Sequence, residues 1–227
     1  MVSDALTRLW PAAGVRATAG NLELRWIDDE LLVQLAELAG RGVHDEAAMP
    51  FYTPWTRGTP EQVARSVMAY QWSIRSRVAP TGPMTLEFAV LVDGVVVGSQ
   101  GAGGTDWAVV KTVETGSWLG LEYHGRGIGT RMRALMLELL FEGLGADEVT
   151  SGAFADNAAS NAVSVKTGYQ PDGVDRKARE GAPVMVNRYR MPRARWLDVR
   201  EYNAALLGAP ARLEGVDALR AQLEASV

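Results

Sequence analysis

The feature that most constrains the fold is a glycine-rich bend at residues 120–129, which reads Gly-Leu-Glu-Tyr-His-Gly-Arg-Gly-Ile-Gly. It follows a strand-like pattern at 111–119 and precedes a long helical pattern at 127–144. Alternating glycines let backbone N–H groups approach a ligand without an intervening Cβ. The first turn of a helix adds free N–H groups and a partial positive charge. The glycine bend therefore predicts an anion-binding site between a strand and a helix.

Basic residues gather around this helix start, where acidic residues are normally favoured. They are His124, Arg126, Arg131 and Arg133. A bound diphosphate would compensate their charge. The alternative is a simple glycine turn with solvated arginines.

Two common phosphate-binding motifs fit poorly. A P-loop requires a Gly-Lys pair, and the chain contains none. A dinucleotide-binding fingerprint would require glycine at position 130, which is threonine, and usually lies in an early βαβ unit. Both alternatives are weak.

Periodicity along the chain predicts a mixed α/β fold. Strands are expected at 22–26, 86–92, 95–100, 111–119, 149–154 and 184–190, and helices at 29–40, 60–77, 127–144 and 158–167. This order indicates a mixed sheet flanked by helices. A last amphipathic stretch at 213–223 predicts either a helix docked on the domain or a self-association face.

Composition excludes several classes of protein. With 47% hydrophobic residues, the 227-residue chain can form one compact domain with a modest appendage. A net charge of -4 argues against broad nucleic-acid binding. No cysteine and only His44 and His124 are present, so thiol chemistry and a multi-histidine metal site are not expected. No apolar run reaches about 18 residues and no signal-peptide pattern is seen, so we expect no membrane association and a cytoplasmic location.

Two motifs together resemble the GNAT superfamily of acyl-CoA-dependent N-acyltransferases. Residues 124–129 are similar to its phosphate loop, Gln/Arg-x-x-Gly-x-Gly/Ala, with His124 at the first position. The neighbouring Trp118-Leu119 and Thr130 resemble the Rim-type branch, which acetylates the N-termini of ribosomal proteins. An Asn-x-x-Ser motif at 157–160, followed by Gly168-Tyr169, is similar to the second motif of these relatives.

The resemblance implies a GNAT fold, in which a mostly antiparallel twisted sheet has parallel strands splayed at the acyl-CoA site. It implies that the diphosphate binds at Gly125–Thr130, that Leu119 and Leu121 pair by backbone with the pantetheine arm, and that Asn157 and Ser160 face the thioester. We expect a GNAT domain at 1–195 and a C-terminal helical extension at 196–227. The residues assigned to CoA are Trp118, Leu119, Leu121, His124, Gly125, Arg126, Gly127, Ile128, Gly129, Thr130, Asn157 and Ser160.

Amide formation from a thioester requires a base for the amine and a proton donor for the departing thiolate. Many relatives use a tyrosine seven residues after the motif asparagine, where this chain has Ser164. Direct displacement without strong acid help is a further alternative. The candidate donors are Ser160, Ser164 and Tyr169, and the candidate bases are His44, Asp45, Glu87 and Glu114.

The segment at 42–57 resembles a subset of actinobacterial relatives that accept succinyl-CoA, and in the fold this segment borders the acceptor groove. A carboxylate-bearing acyl group would need a cation in its pocket. The candidates are Arg57, Lys166, Arg176 and Arg179.

The sequence thus predicts an enzyme that transfers an acyl group from acyl-CoA to a primary amine on a small molecule or a peptide. Acetyl-CoA is the default donor and succinyl-CoA is the alternative. The rival hypothesis is a non-catalytic acyl-CoA-binding sensor of the same fold. Analogy with the Rim-type branch also implies a homodimer.

Overall fold

A computed structural model describes residues 3–225 as a sheet flanked by helices. The strands are β1 (Arg16–Ala19), β2 (Leu22–Trp26), β3 (Pro83–Val92), β4 (Val95–Thr105), β5 (Thr112–Leu119), β6 (Glu148–Phe154), β7 (Gln170–Arg179), β8 (Ala182–Pro192) and β9 (Ala211–Glu214). The helices are α1 (Asp4–Leu9), α2 (Asp29–Arg41), α3 (Pro60–Ile74), α4 (Trp107–Val110), α5 (Ile128–Glu138), α6 (Ala158–Lys166), α7 (Arg193–Leu207) and α8 (Val216–Glu224).

Nine strands of the described chain form one sheet in the order β7-β8-β6-β5-β4-β3-β2-β1-β9. Neighbouring strands are antiparallel, except that β5 and β6 are parallel. A parallel pair needs a crossover connection, and here the glycine bend and α5 supply it. The mixed α/β fold with a mostly antiparallel sheet is therefore confirmed.

The helices cover the two faces of the sheet. Helices α2 and α3 pack on one face with alternate residues of β3, including Ala89 and Leu91. Helix α5 packs on the opposite face with the intervening residues, including Phe88 and Val90. We call these the α2/α3 face and the α5 face.

The central parallel pair is short. Strands β5 and β6 are paired from Thr112 with Glu148 to Thr115 with Ser151. Beyond that point β5 continues to Leu119 along β4 alone, and β6 continues to Phe154 along β8 alone. The two strands therefore open a gap in the middle of the sheet, directly before the glycine bend.

Several elements differ from the sequence predictions. Strands β1, β7 and β9 were not predicted: β7 is mostly exposed, β9 has four residues, and the buried positions of β1 are two alanines, Ala17 and Ala19, that give little hydrophobic signal. The helix predicted at 127–144 is α-helical only to Glu138 and ends in a π-helical turn at Leu139–Gly143. Strands β1, β7 and β9 therefore form because of the strands with which they pair, and not because of a local sequence pattern.

The C-terminal segment packs on the domain. Strand β9 pairs with β1, and Leu219 and Leu223 of α8 are buried in the core on the α5 face. Helix α7 runs across position 195, so a boundary there would fall inside a helix. Whether the segment from 196 onward is a separable extension stays a prediction.

Substitution in α8 tests this docking. We expect Leu219→Ala to lower the free energy of unfolding by about 2–5 kcal/mol, because it leaves a cavity in a packed core. The matched change Leu197→Ala, at a side chain of α7 that is 58% exposed, should stay within about 0.5 kcal/mol. Denaturant unfolding of both variants measures the difference. Equal, small effects together with a change in oligomeric state would favour a self-association face instead.

Candidate functional site

An open cavity of about 990 Å³ lies where β5 and β6 diverge. It is lined from both faces of the sheet: Glu87 and Glu114 contribute from the α2/α3 face, and Met132 and Arg133 of α5 contribute from the other. The glycine bend lines one end of the cavity. The N-terminus of α5, the two carboxylates and the guanidinium of Arg133 thus all lie around this gap in the sheet.

The glycine bend has the backbone that its sequence predicts. Gly125 and Gly127 have φ values of 73° and 74°, a region that favours glycine, and a Cβ at either position would point into open space. Within the described chain, no side chain caps the start of α5 at Gly127, and its first turn carries no acidic residue. The free N–H groups of this turn are suited to bind a phosphate group.

Some of the basic residues that are near the bend in sequence have side chains that lie away from it in the structure. Arg126 is exposed beside the bend, with its guanidinium 5.6 Å from the ring centre of Tyr123. Arg131 instead donates to Asn21 Oδ1 at 3.0 Å, and Arg133 is buried under the sheet. The prediction of a single diphosphate-binding cluster therefore needs correction, because only Arg126 and His124 remain beside the loop.

The predicted pantetheine strand is partly occupied by internal hydrogen bonds. The Leu121 N–H donates to the Gly42 carbonyl, and its own carbonyl accepts from the His124 N–H. The Leu119 carbonyl is 3.1 Å from His124 Nε2. The Leu121 N–H is therefore already used within the protein, whereas its carbonyl has a second lone pair that can accept from a ligand. The expected pairing with the pantetheine arm stays a prediction. Trp118 packs its ring 5.6 Å from that of Trp55 and also lines the cavity.

The second motif forms the N-terminus of α6 at the cavity wall. Asn157 Oδ1 accepts the Ser160 N–H at 3.1 Å and caps the helix. Both residues line the cavity, as do Ile128, Gly129 and Thr130 from the glycine bend. Of the predicted hydroxyl donors, Ser160 thus belongs to the cavity wall.

The other two predicted donors point elsewhere. Ser164 is fully buried, and its hydroxyl lies 3.4 Å from that of Ser151. Tyr169 is 5% exposed and its hydroxyl lies 3.1 Å from Thr115 Oγ1. Neither lines the cavity in the described structure. The position where many relatives have a tyrosine therefore lies in the core here, because α6 turns Ser164 toward the sheet.

The segment at 42–59 closes the α2/α3 side of the cavity. His44 Nδ1 lies 2.8 Å from the Asp45 carbonyl, and Nε2 lies 2.7 Å from Thr56 Oγ1. A carbonyl can only accept, so the neutral ring carries its proton on Nδ1 and accepts from Thr56 on Nε2. His44 would have to break the Thr56 bond before it could take a proton from an amine. Asp45 is exposed at the cavity rim.

Two of the cations considered for an acyl carboxylate are already paired. Arg57 binds Glu180, and Arg179 binds both carboxylate oxygens of Asp156. Arg176 is exposed on β7, away from the cavity. Lys166 is exposed at the cavity rim.

The buried cation that does line the cavity is Arg133, which is 3% exposed. Its guanidinium donates to Gln100 Oε1 at 3.4 Å, Ser151 Oγ at 3.1 Å and Ser117 Oγ at 3.4 Å. Among residues 3–225 no carboxylate pairs with it. These three partners are neutral, and the ring centre of Tyr169 lies 6.0 Å from the guanidinium carbon. Sequence reasoning missed the burial of Arg133, since an arginine near a helix start is normally solvated.

Two carboxylates lie on the α2/α3 face of the gap. Glu114 is exposed and, with the Tyr52 hydroxyl, borders Gly152. Glu87 lies deeper and accepts a hydrogen bond of 2.6 Å from Ser99 Oγ. Burial raises the pKa of Glu87 to about 7 against the opposing effect of its hydrogen bonds. Both residues line the cavity, and the role of either as a base stays a prediction.

The described residues contain no group of three or more histidine, aspartate or glutamate side chains placed to hold a metal ion. No helix between residues 3 and 225 is long and apolar enough to cross a membrane.

Comparison with solved structures shows the same fold. The chain is similar to a GCN5-related N-acetyltransferase from Brucella melitensis, with 18% identity, 85% of each chain covered and a TM-score of 0.66. It is similar to RimJ of Mycobacterium smegmatis, in complex with CoA-disulfide, at 20% identity, over 84% of this chain and 96% of that one, with a TM-score of 0.61. It is also similar to RimL, a ribosomal L7/L12 alpha-N-protein acetyltransferase in complex with coenzyme A, at 20% identity, over 77% and 95% of the chains, with a TM-score of 0.60.

Comparison with family models gives the family itself. The acetyltransferase (GNAT) domain model matches residues 21–170, which include the gap in the sheet, the glycine bend and the second motif. This chain belongs to the GNAT acetyltransferase family.

Proposed function

We propose that this protein transfers an acyl group from acyl-CoA to a primary amine. The observation that carries the proposal is the uncapped N-terminus of α5 with the open glycine bend before it, at one end of the cavity in the sheet. A diphosphate bound there would receive the free N–H groups of the first turn. The rest of CoA would then extend along β5 into the gap.

The reaction forms one bond and breaks one. The amine nitrogen attacks the thioester carbonyl, a C–N bond forms, the C–S bond breaks, and the thiol leaves as a thiolate. A carboxylate on the α2/α3 face takes the proton of the amine. Ser160 is the hydroxyl at the cavity wall that could donate a proton to the departing sulfur.

Arg133 supports a proposal for the chemical class of the acyl group. A buried guanidinium with no carboxylate partner is costly unless a ligand supplies the opposite charge. Arg133 reaches the cavity from the α5 face, beneath the strands between which the thioester would lie. We therefore propose a donor whose acyl group carries a carboxylate, such as succinyl-CoA, in preference to acetyl-CoA.

The acceptor is an amine that can enter an open groove. RimL, which has the same fold, acts on the N-terminus of a ribosomal protein. The groove here is bordered by the exposed carboxylates of Asp45 and Glu114, which favour a cationic amine. A peptide N-terminus and a small-molecule amine both meet this requirement.

The position of the diphosphate is tested at Gly127. We expect Gly127→Asp to weaken CoA binding by at least about 100-fold, because it places a carboxylate among the N–H groups that would hold the phosphates. Gly145→Asp is a matched control, since Gly145 has a similar φ of 79° and open space around it but does not line the cavity. Isothermal titration with CoA measures both. Equal affinity in the folded Gly127 variant would place the diphosphate elsewhere.

The choice of donor is tested at Arg133. We expect the wild-type protein to prefer succinyl-CoA, and Arg133→Met to lower kcat/KM for succinyl-CoA about 10- to 100-fold more than for acetyl-CoA. This range corresponds to the loss of a hydrogen bond to a charged group, about 1.5–3 kcal/mol. The measurement is release of the CoA thiol from each donor with a panel of primary amines.

The same assay separates the alternatives. A non-catalytic sensor would release no CoA above the hydrolysis blank with any amine. An equal loss with both donors would mean that Arg133 acts on the common thioester or on stability, and not on the acyl carboxylate. A wild-type preference for acetyl-CoA would also contradict the proposed donor.

A further inference from the structure

We propose that the carboxylate of Glu87, and not that of Glu114, takes the proton from the acceptor amine. The inference rests on the proposed acyl transfer and assigns its proton acceptor. It also predicts where the amine binds: over the glycine residues of β4 and β5 that lie beside Glu87.

The backbone aims this carboxylate at the gap in the sheet. Glu87 on β3 pairs with Gly101 on β4, and Gly101 pairs with Gly116 on β5. A Cβ on Gly101 would lie within 3.0 Å of both carboxylate oxygens of Glu87. The carboxylate therefore lies across Gly101, in the direction of β5.

The next residue in this row leaves space for a substrate. A Cβ on Gly116 would meet no atom within 4 Å. Gly116 also lies directly beyond Thr115, the last residue of β5 that pairs with β6. An amine over Gly116 would thus lie between the Glu87 carboxylate and the point where the strands diverge.

Glu87 has hydrogen-bond donors but no counter-charge among the described residues. Ser99 Oγ donates to one carboxylate oxygen at 2.6 Å, and the Tyr70 hydroxyl of α3 approaches the other at 3.4 Å. Burial raises the pKa of Tyr70, so that its phenol remains a donor. An acceptor ammonium would supply the missing positive charge.

Other charged groups near Glu87 do not neutralise it. Arg75, at the end of α3, pairs with Asp29 at 2.6 Å. Arg77 is exposed beyond Tyr70. Glu114 lies on the same face of the sheet, but in an exposed position near Tyr52. The geometry thus leaves Glu87 as the deeper, uncompensated carboxylate.

The protonation behaviour of Glu87 agrees with this role. Its pKa near 7 allows the carboxylate to accept a proton at neutral pH and to release it afterwards. In the step, one proton passes from the ammonium to Glu87, the nitrogen lone pair forms the C–N bond, and the electrons of the C–S bond leave with sulfur. The second amine proton is lost when the tetrahedral adduct collapses to the amide; it replaces the proton that the Ser160 hydroxyl gives to the thiolate.

The first test replaces the carboxylate by an amide. We expect Glu87→Gln to lower kcat at least about 100-fold. In the wild-type protein kcat should fall as the pH drops below about 7, because protonated Glu87 cannot act as a base, and the variant should lose this inflection. Glu148→Gln, on β6 outside the cavity, should keep both the rate and the inflection.

A second test displaces the carboxylate without removing it. Gly101→Ala would force the Glu87 side chain to move, whereas the Cβ in Gly103→Ala would meet its nearest atom at an ordinary 3.6 Å. We therefore expect a larger loss of kcat in the Gly101 variant than in the Gly103 variant. Thermal unfolding at pH 8 controls for folding, and Glu87→Gln should be no less stable than the wild type because it removes a partly buried charge that has no counter-ion among the described residues.

The outcomes are distinct. Wild-type kcat and pH profile in Glu87→Gln would overturn the inference, as would loss of the inflection in Glu114→Gln and its retention in Glu87→Gln. A wild-type protein that releases no CoA with any amine would overturn the proposed function instead. Unchanged CoA affinity in Glu87→Gln, measured by titration, supports a role at the amine and not at the donor.

Discussion

The divergence of β5 and β6 beyond Thr115 and Ser151 is the constraint on which the rest of the site depends. A parallel pair can be joined only by a crossover, and this crossover brings the N-terminus of α5 to the end of β5. The divergence also leaves backbone groups without a strand partner. Side chains satisfy some of them: Gln100 Nε2 donates to the Gly116 carbonyl at 2.9 Å, and His124 Nε2 lies 3.1 Å from the Leu119 carbonyl.

Two opposite charges line the gap from opposite faces of the sheet. Arg133 reaches the gap from the α5 face and Glu87 from the α2/α3 face, and neither has a partner of opposite charge among residues 3–225. Burial of an unpaired charge such as that of Arg133, which is 3% exposed, costs several kcal/mol in the absence of a ligand. A fold that keeps both is consistent with two ligands of opposite charge that approach from opposite faces and meet in the gap.

The features that depend on local residue spacing could be predicted from the sequence. The glycine bend, the helix that follows it and the strands near it were all visible in residue spacing, and so was the fold class. Strand β7 could not be predicted, because it is stabilised by pairing with β8 along an exposed stretch. Ser164 faced the core and not the cavity, since a motif fixes the position in a helix but not the side that the helix turns to the sheet. The depth of Arg133 and Glu87 depends on packing between distant elements, which spacing does not contain.

Arg57 and Arg179, two arginines near the surface, are already paired, so the proposed selectivity for the acyl group depends on the buried Arg133. Arg57 ties the 42–59 segment to Glu180, and Arg179 binds Asp156 while it also donates to the Met49 carbonyl. Both arginines therefore hold this side of the cavity in place. A cation that has this structural role is not free to select a substrate carboxylate without release of the segment. Arg133 is held by neutral side chains, those of Gln100, Ser117 and Ser151, so in the proposed reaction its charge is available to an acyl carboxylate while the 42–59 segment stays in place.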